Sequence, residues 1–347
     1  MSVLLLLVSD TIINLRTQSK EKKFITNAFG QCLSKEVVNE IIKNPSSMKL
    51  GGDSRTMTAI FTDIQKFSSF SELMNAEELV ALLNFYLTKM SDLVMYERGT
   101  VDKYEGDAII AFMGAPLSME EHAKQACNAA IQMKKAEAEM NKYILEVVAN
   151  GKPEDMSDEL FSAFNKMVKN KKTLFTRIGI NSGEMVAGFM GSESKKNYTM
   201  MGNNVNLASR IEGVNKQYST GGIMITESTR ELLDDNFIVR KLDRVQVVNV
   251  ETPIRLYELL DYKSSETASL EKYVENWDKT MAIFEKGEYE TALSYFKKMS
   301  EIKPDDNVAK YYISLLEKFF VKGKFPTAQD DFGVAYNDSN PENMKSE

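Results

Sequence analysis

The chain has 347 residues, 43% hydrophobic and 27% charged, with a net charge of −7. That is a globular composition, and its acidic balance argues against a general nucleic-acid binder, whose phosphate contacts need a basic surface. Two cysteines, Cys32 and Cys127, are too few for a disulfide framework, and one histidine, His122, supports neither a Ser-His-Asp triad nor a multi-histidine zinc site.

The amino end carries VLLLLV at residues 3 to 8. This is far short of the roughly 20 apolar residues a membrane span needs. It also lacks the basic leading region and cleavage site of a signal peptide. It reads as the stump of a membrane helix, with NLRTQSKEKK as a basic juxtamembrane segment; a buried helix turn is the alternative. Apolar spacing predicts helix over residues 9 to 50, so residues 1–50 form a helical linker. After the connector GGDSR comes a strand, TMTAIFTDI, and then a helix, NAEELVALLNFYLTKMSDLVMYE. RGTVDKYEGDAIIAFMGAP predicts two strands around a turn at Glu105-Gly106, closed by Pro116. A long helix follows from about 118 to 147, then a Lys-rich insertion at 148–172 with a short helix of its own.

TLFTRIGINSGEMVAGFMG reads as a second two-strand unit, with Ser182-Gly183 at the turn. NNVNLASRIEGVNKQ is helical, and GGIMITEST, NFIVRKLDRVQVV and TPIRLYELLD supply further strands. Helices alternate with strands while hairpins recur, so the fold class is α+β with a mixed sheet. Residues 263–325 change character. Gly287, Tyr289, Ala292, Phe296 and Pro304 resemble the positions of a tetratricopeptide helix pair. A lone repeat cannot bury its own face, so this one must pack on the preceding domain or on a partner protein. Residues 326–347 have no core pattern and read as a disordered tail.

Three short stretches can carry chemistry. Asp63 stands where an apolar strand ends, and Asp107 sits just past the hairpin turn. Two carboxylates with a backbone carbonyl and substrate phosphates suit Mg²⁺. The following IQKFSS can turn backbone N–H groups toward a phosphate, with the Ser68 hydroxyl beside them, although it lacks the P-loop pattern. Asn206 and Arg210 are four apart and share one helix face. An amide and a guanidinium there can hold a ribose and a phosphate that gains charge. Taken singly, each has a plain alternative: a strand end, a turn residue, a solvated helix face.

Together, and in this order, FTDIQKFS, GTVDKYEGDAIIAFMGAP, RIGINSGEMVAGFMGS and YTMMGNNVNLASRIEGVNK resemble the class III nucleotide cyclase catalytic domain over roughly residues 45 to 260. The likeness is closest to bacterial adenylyl cyclases that follow a membrane-bound sensor and a helical linker. It implies a sheet of ferredoxin-like topology within residues 51–262 and a head-to-tail homodimer, each site drawing on both chains. It implies that Asp63, the Ile64 carbonyl and Asp107 hold two Mg²⁺ (or Mn²⁺) ions per site. Phe67 and Ser68 would border the substrate. The other chain would supply Lys103 and Thr199 to read the purine, and Asn206 and Arg210 for ribose and triphosphate. Adenine offers an acceptor at N1 and a donor at its amine, which a lysine and a threonine hydroxyl match. The implied substrate is therefore ATP, and the implied product is 3′,5′-cyclic AMP. The implied place is a cytoplasmic catalytic domain whose full-length form is tethered to the inner membrane.

Two departures stand out. Val248 in DRVQVVNVETP occupies the position of a second phosphate-binding lysine, and strand alternation puts Arg244 and Gln246 on its face, so Arg244 is the candidate substitute. Lys66 stands where glycine is common. A catalytically weak or silent signalling and dimerisation module is the rival reading, followed by a guanylyl cyclase.

Overall fold

The computed structural model describes residues 38, 42, 43, 51–192, 195–245 and 253–322. The predicted linker apart from those three residues, Gln246, Val248 and the predicted tail lie outside the described residues. Strand β1 (Gly51–Ile64) lies inside the sheet, paired on both sides. Its alternation sends Met57 and Ala59 to one face and Ile60 and Ile64 to the other. A single short turn of helix, α1 (Ser68–Ser71), leads into α2 (Ala76–Tyr96). The Asn75 side chain accepts from the Glu78 N–H at 2.9 Å, and the Glu78 carboxylate accepts from the Asn75 N–H at 2.8 Å. This reciprocal pair satisfies two otherwise orphaned donors and fixes where α2 begins.

Strands β2 (Thr100–Glu105) and β3 (Ala108–Met113) form the hairpin expected around Gly106. Helix α3 runs from His122 to Asn150, later at both ends than the predicted 118 to 147. The insertion holds α4 (Asp158–Lys169), capped by the Ser157 hydroxyl and packed through Phe164 on Phe85 and Tyr143. Strand β4 (Thr176–Gly191) pairs with β1 along the full length of β1. The first part of the chain is thus β1-α2-β2-β3-α3-β4, with sheet order β2-β3-β1-β4 and antiparallel neighbours. That is the ferredoxin-like arrangement.

The expected turn at Ser182-Gly183 is not there. Both residues lie in extended β4, opposite Thr58 and Met57. The hairpin comes later, between β4 and β5 (Lys196–Met201), with the Ser192 N–H donating to the Lys195 carbonyl at 3.0 Å. Gly183 is needed for a different reason: a Cβ at that position would collide with the Asn204 side chain.

Helix α5 (Asn203–Tyr218) crosses the sheet face opposite α2 and α3. Strand β6 (Ile223–Thr226) runs parallel to the start of β4, α6 (Glu227–Arg230) follows it, and β7 (Phe237–Val245) and β8 (Ile254–Tyr262) complete an eight-stranded mixed sheet among the described residues.

Three helices occupy the carboxyl end, where the sequence pattern suggested a pair: α7 (Ala268–Glu285), α8 (Tyr289–Ile302) and α9 (Asn307–Lys322). They do not stand apart. Trp277, Phe284, Phe296 and Tyr312 share one core with Leu207, Ile211, Val214 and Tyr218 of α5. Buried Arg240 ties the unit down. It pairs with Glu258 and, at 2.5 Å, with Asp306, while its guanidinium lies 4.5 Å from the Trp277 ring centre. No helix among the described residues is long and apolar enough to cross a membrane.

Candidate functional site

The structure collects the predicted residues into three neighbourhoods. The first is the carboxyl end of β1. Asp63 follows the alternation of Met57 and Ala59, so it lies on the α5 side of the sheet. Asp107, at the turn of the β2–β3 hairpin, accepts a hydrogen bond from the Ile64 N–H at 2.8 Å. The two carboxylates therefore share one corner. Burial, and then the neighbouring charge of Asp63, push Asp107 up to about 6.

Sequence reasoning missed two members of this corner. Arg177 stands directly opposite Asp63 across β1 and β4 and pairs with it. Its Nε lies 2.7 Å from the Glu212 carboxylate of α5. Arg177 and Glu212 are largely buried, at 11% and 16% exposure, and Asp63 is partly exposed at 31%. Burial pushes Glu212 up to about 7, against the pull of Arg177. Only the strand register, absent from the sequence, brings Arg177 to Asp63.

The turn after Asp63 differs from expectation. The Gln65 N–H donates to the Phe175 carbonyl at 2.8 Å and the Phe67 N–H to the Ile64 carbonyl at 3.2 Å. Those two donors are tied into the chain itself. Phe67 is half-buried against Phe70, with ring centres 6.2 Å apart, while Ser68 is exposed. Lys66 adopts φ 59°, the left-handed conformation that explains why glycine suits this position.

The second neighbourhood lies where β5 meets β2. The Thr199 hydroxyl donates to the Asp102 carboxylate at 2.7 Å. Lys103, the next residue on β2, is half exposed and lies 3.7 Å from Glu105. Thr199 is thus tied to Asp102, the chain neighbour of Lys103 and a residue that sequence reasoning passed over.

The third is α5. The helix is held to β4 at its start: Asn181 Nδ2 donates to the Asn204 carbonyl at 2.8 Å, and Asn204 Nδ2 to the Glu184 carbonyl at 3.0 Å. Val205 and Ala208 pack on the sheet, while Leu207, Ile211, Val214 and Tyr218 pack on the carboxyl-terminal helices. Between these two apolar strips, Asn206 is exposed and Arg210 half-buried, one turn apart.

Arg244, the candidate substitute cation, is exposed near the end of β7, opposite Arg255 of β8. His122 is buried and shares a hydrogen bond of 2.7 Å with the Thr58 hydroxyl, a structural role. Cys127 is free and buried. Among the described residues no cluster of three or more His, Cys, Asp or Glu side chains is placed to hold a metal. A cation at the Asp63–Asp107 corner would need oxygens from elsewhere.

Residues 52–260 match the family model described as the adenylate and guanylate cyclase catalytic domain. The chain is 29% identical to the terminal-differentiation-specific adenylate cyclase of Dictyostelium discoideum, over 85% of this chain and 13% of that protein. It is 31% identical to an adenylate cyclase of Anabaena cylindrica, over 70% of this chain and 43% of the relative. The chain therefore spans less than half the length of either relative. Among solved structures, that of the guanylyl cyclase Cya2 is 32% identical, with a TM-score of 0.51, covering 62% of this chain and 97% of that one.

Proposed function

The chain belongs to the adenylate and guanylate cyclase catalytic domain family, and from that membership we propose that it converts ATP to 3′,5′-cyclic AMP and pyrophosphate at sites completed between two copies of itself. The observation that carries this reading is the meeting of Asp63, Ile64 and Asp107 at the end of β1. Two hard carboxylates crowd one another there, at the cost of a raised Asp107, and a divalent cation relieves that repulsion. Asp63, the Ile64 carbonyl and Asp107 would hold two Mg²⁺ or Mn²⁺ ions, with substrate phosphates filling the remaining positions. When bound there, such ions would supply Lewis-acid chemistry, lowering the pKa of the ribose 3′ hydroxyl and offsetting the triphosphate charge.

The chain's own residues then do the rest. Asp63 would take the proton of the 3′ hydroxyl. The 3′ oxygen bonds to the α-phosphorus as the bond to the leaving pyrophosphate breaks. Asn206 orients the ribose and Arg210 meets the charge that grows on the α-phosphate. Ser68 offers an exposed hydroxyl beside the phosphates, with Phe67 bracing its turn. Lys103 donates to adenine N1 and Thr199 accepts from its amine. The exposure of Lys103 and Asn206 on their own chain supports a second copy closing over the nucleotide.

Complementation tests the reading. Asp107→Asn and Arg210→Ala are each expected to make no cyclic AMP alone. A mixed homodimer regenerates one intact site of two, so an equal mixture should recover about a quarter of wild-type activity. No recovery from a mixture shown to exchange subunits would place the site within one chain. A wild-type protein that binds ATP without turnover would instead be a silent module. Because a similar solved structure is a guanylyl cyclase, the same assay is run with GTP, where cyclic GMP as the main product would overturn the purine assignment.

A further inference from the structure

Resting on the purine-reading role proposed for Thr199, we infer that Asp102 is a specificity-determining positioning residue that fixes Thr199 as a hydrogen-bond acceptor and thereby sets the preference for adenine over guanine. The argument starts from one bond. The Thr199 hydroxyl lies 2.7 Å from the Asp102 carboxylate. A hydroxyl has one proton and two lone pairs, whereas a carboxylate only accepts. The proton therefore points at Asp102, and what remains for a ligand is acceptor capacity alone. Without Asp102 the hydroxyl rotates freely and serves a donor or an acceptor equally well.

The purine edge decides what that means. Adenine presents an amine donor where guanine presents a carbonyl acceptor. An acceptor-only Thr199 bonds to the amine and repels the carbonyl, leaving guanine with an unpaired polar group, which is the strongest form of rejection available to a site. The adjoining Lys103 discriminates in the same sense, because it donates to adenine N1 and meets a donor on guanine. Asp102 thus acts on the purine through Thr199 and without touching it. The bond also joins β5 to β2, so a purely structural role is the alternative that the experiment must separate.

The measurements are kcat/KM for ATP and for GTP, and equilibrium binding of 3′-deoxy-ATP and 3′-deoxy-GTP, on wild type and on Asp102→Asn, Asp102→Ala and Thr199→Val. An asparagine amide can donate to the Thr199 oxygen and turn its proton outward toward guanine. Asp102→Asn should therefore lower the ATP-to-GTP ratio on the order of tenfold, the worth of one hydrogen bond, chiefly by improving GTP. Asp102→Ala should lower it less. In a Thr199→Val background, changing Asp102 should leave the ratio where Thr199→Val has set it. A loss of both activities in parallel, with a lowered melting temperature and an unchanged ratio, would overturn the inference in favour of a strand tie. The binding arm separates the two readings. A wild type that forms no cyclic nucleotide but prefers 3′-deoxy-ATP, with the preference lost in Asp102→Asn, would reject the cyclase and keep the role of Asp102. Equal binding of both analogues by wild type would reject that role.

Discussion

At the scale of single residues, Lys66 is the plainest mismatch between sequence and local conformation. A side chain with a Cβ in the left-handed region costs roughly 1 kcal/mol, and Lys66, at φ 59°, is exposed. Lys66→Gly should therefore stabilise the protein by about 1 kcal/mol, read as a higher urea midpoint at unchanged slope. A lower midpoint would mean that the lysine makes a compensating contact. The site residues themselves divide by how they reveal their role. Asp63 and Asp107 are legible because each follows a recognisable strand or turn signal. Asn206 and Arg210 are legible because helical spacing puts them on one face. Arg177 and Asp102 are not, because each owes its position to a strand neighbour remote in sequence: Asp63 lies 114 residues from Arg177, and Thr199 lies 97 residues from Asp102.

At the scale of elements, the height of α5 above the sheet is set by glycines in β4. A Cβ on Gly179 would overlap the Ala208 carbonyl oxygen and the Glu212 amide nitrogen. These are backbone atoms, which cannot swing aside as a side chain can. Gly179→Ala should cost about 2 kcal/mol through overpacking. It should also lift the helix that carries Asn206 and Arg210, reducing kcat about a hundredfold, as a displacement near 1 Å does elsewhere. Normal turnover with a lowered melting temperature would show that the helix shifts without moving those two side chains. The same glycines explain the misread turn. Ser-Gly in an apolar run is a turn signal when judged locally. Here Ser182 is buried and hydrogen-bonded to Thr58 at 2.7 Å, and Gly183 makes room for Asn204. A glycine required by a helix crossing overhead leaves the same mark in a sequence as one required by a turn. Alternation and helix periodicity made the mixed α+β sheet legible, whereas the ferredoxin-like order was expected only from the resemblance to the cyclase family. The third carboxyl-terminal helix was missed because a repeat pattern described only two.

At the scale of the whole molecule, α5 is clamped between the sheet and the carboxyl-terminal helices, and Asp243 sits at that junction. It accepts a hydrogen bond from the Tyr218 hydroxyl of α5, and its own N–H donates to the Tyr312 hydroxyl of α9 at 3.1 Å. Burial pushes its carboxyl up to about 7. In the unfolded chain the same group loses its proton near 4. Between those limits the folded state binds more protons, so this contribution to stability is fully present below pH 4 and is lost as pH rises toward 7. Glu212, pushed up to about 7, adds a change of the same sign. Glu78, held near 2 by Lys166 and Ser162, has the opposite sign and matters only in stronger acid. Asp243→Asn keeps a neutral acceptor for Tyr218 and removes the titration. Urea unfolding in chelator should then find the variant close to wild type at pH 4 and more stable by a few kcal/mol at pH 8. A constant difference between the two pH values would mean that Asp243 is ionised in the folded protein. Because Tyr218 lies on the helix of Asn206 and Arg210, the same variant should also hold its turnover to higher pH than wild type.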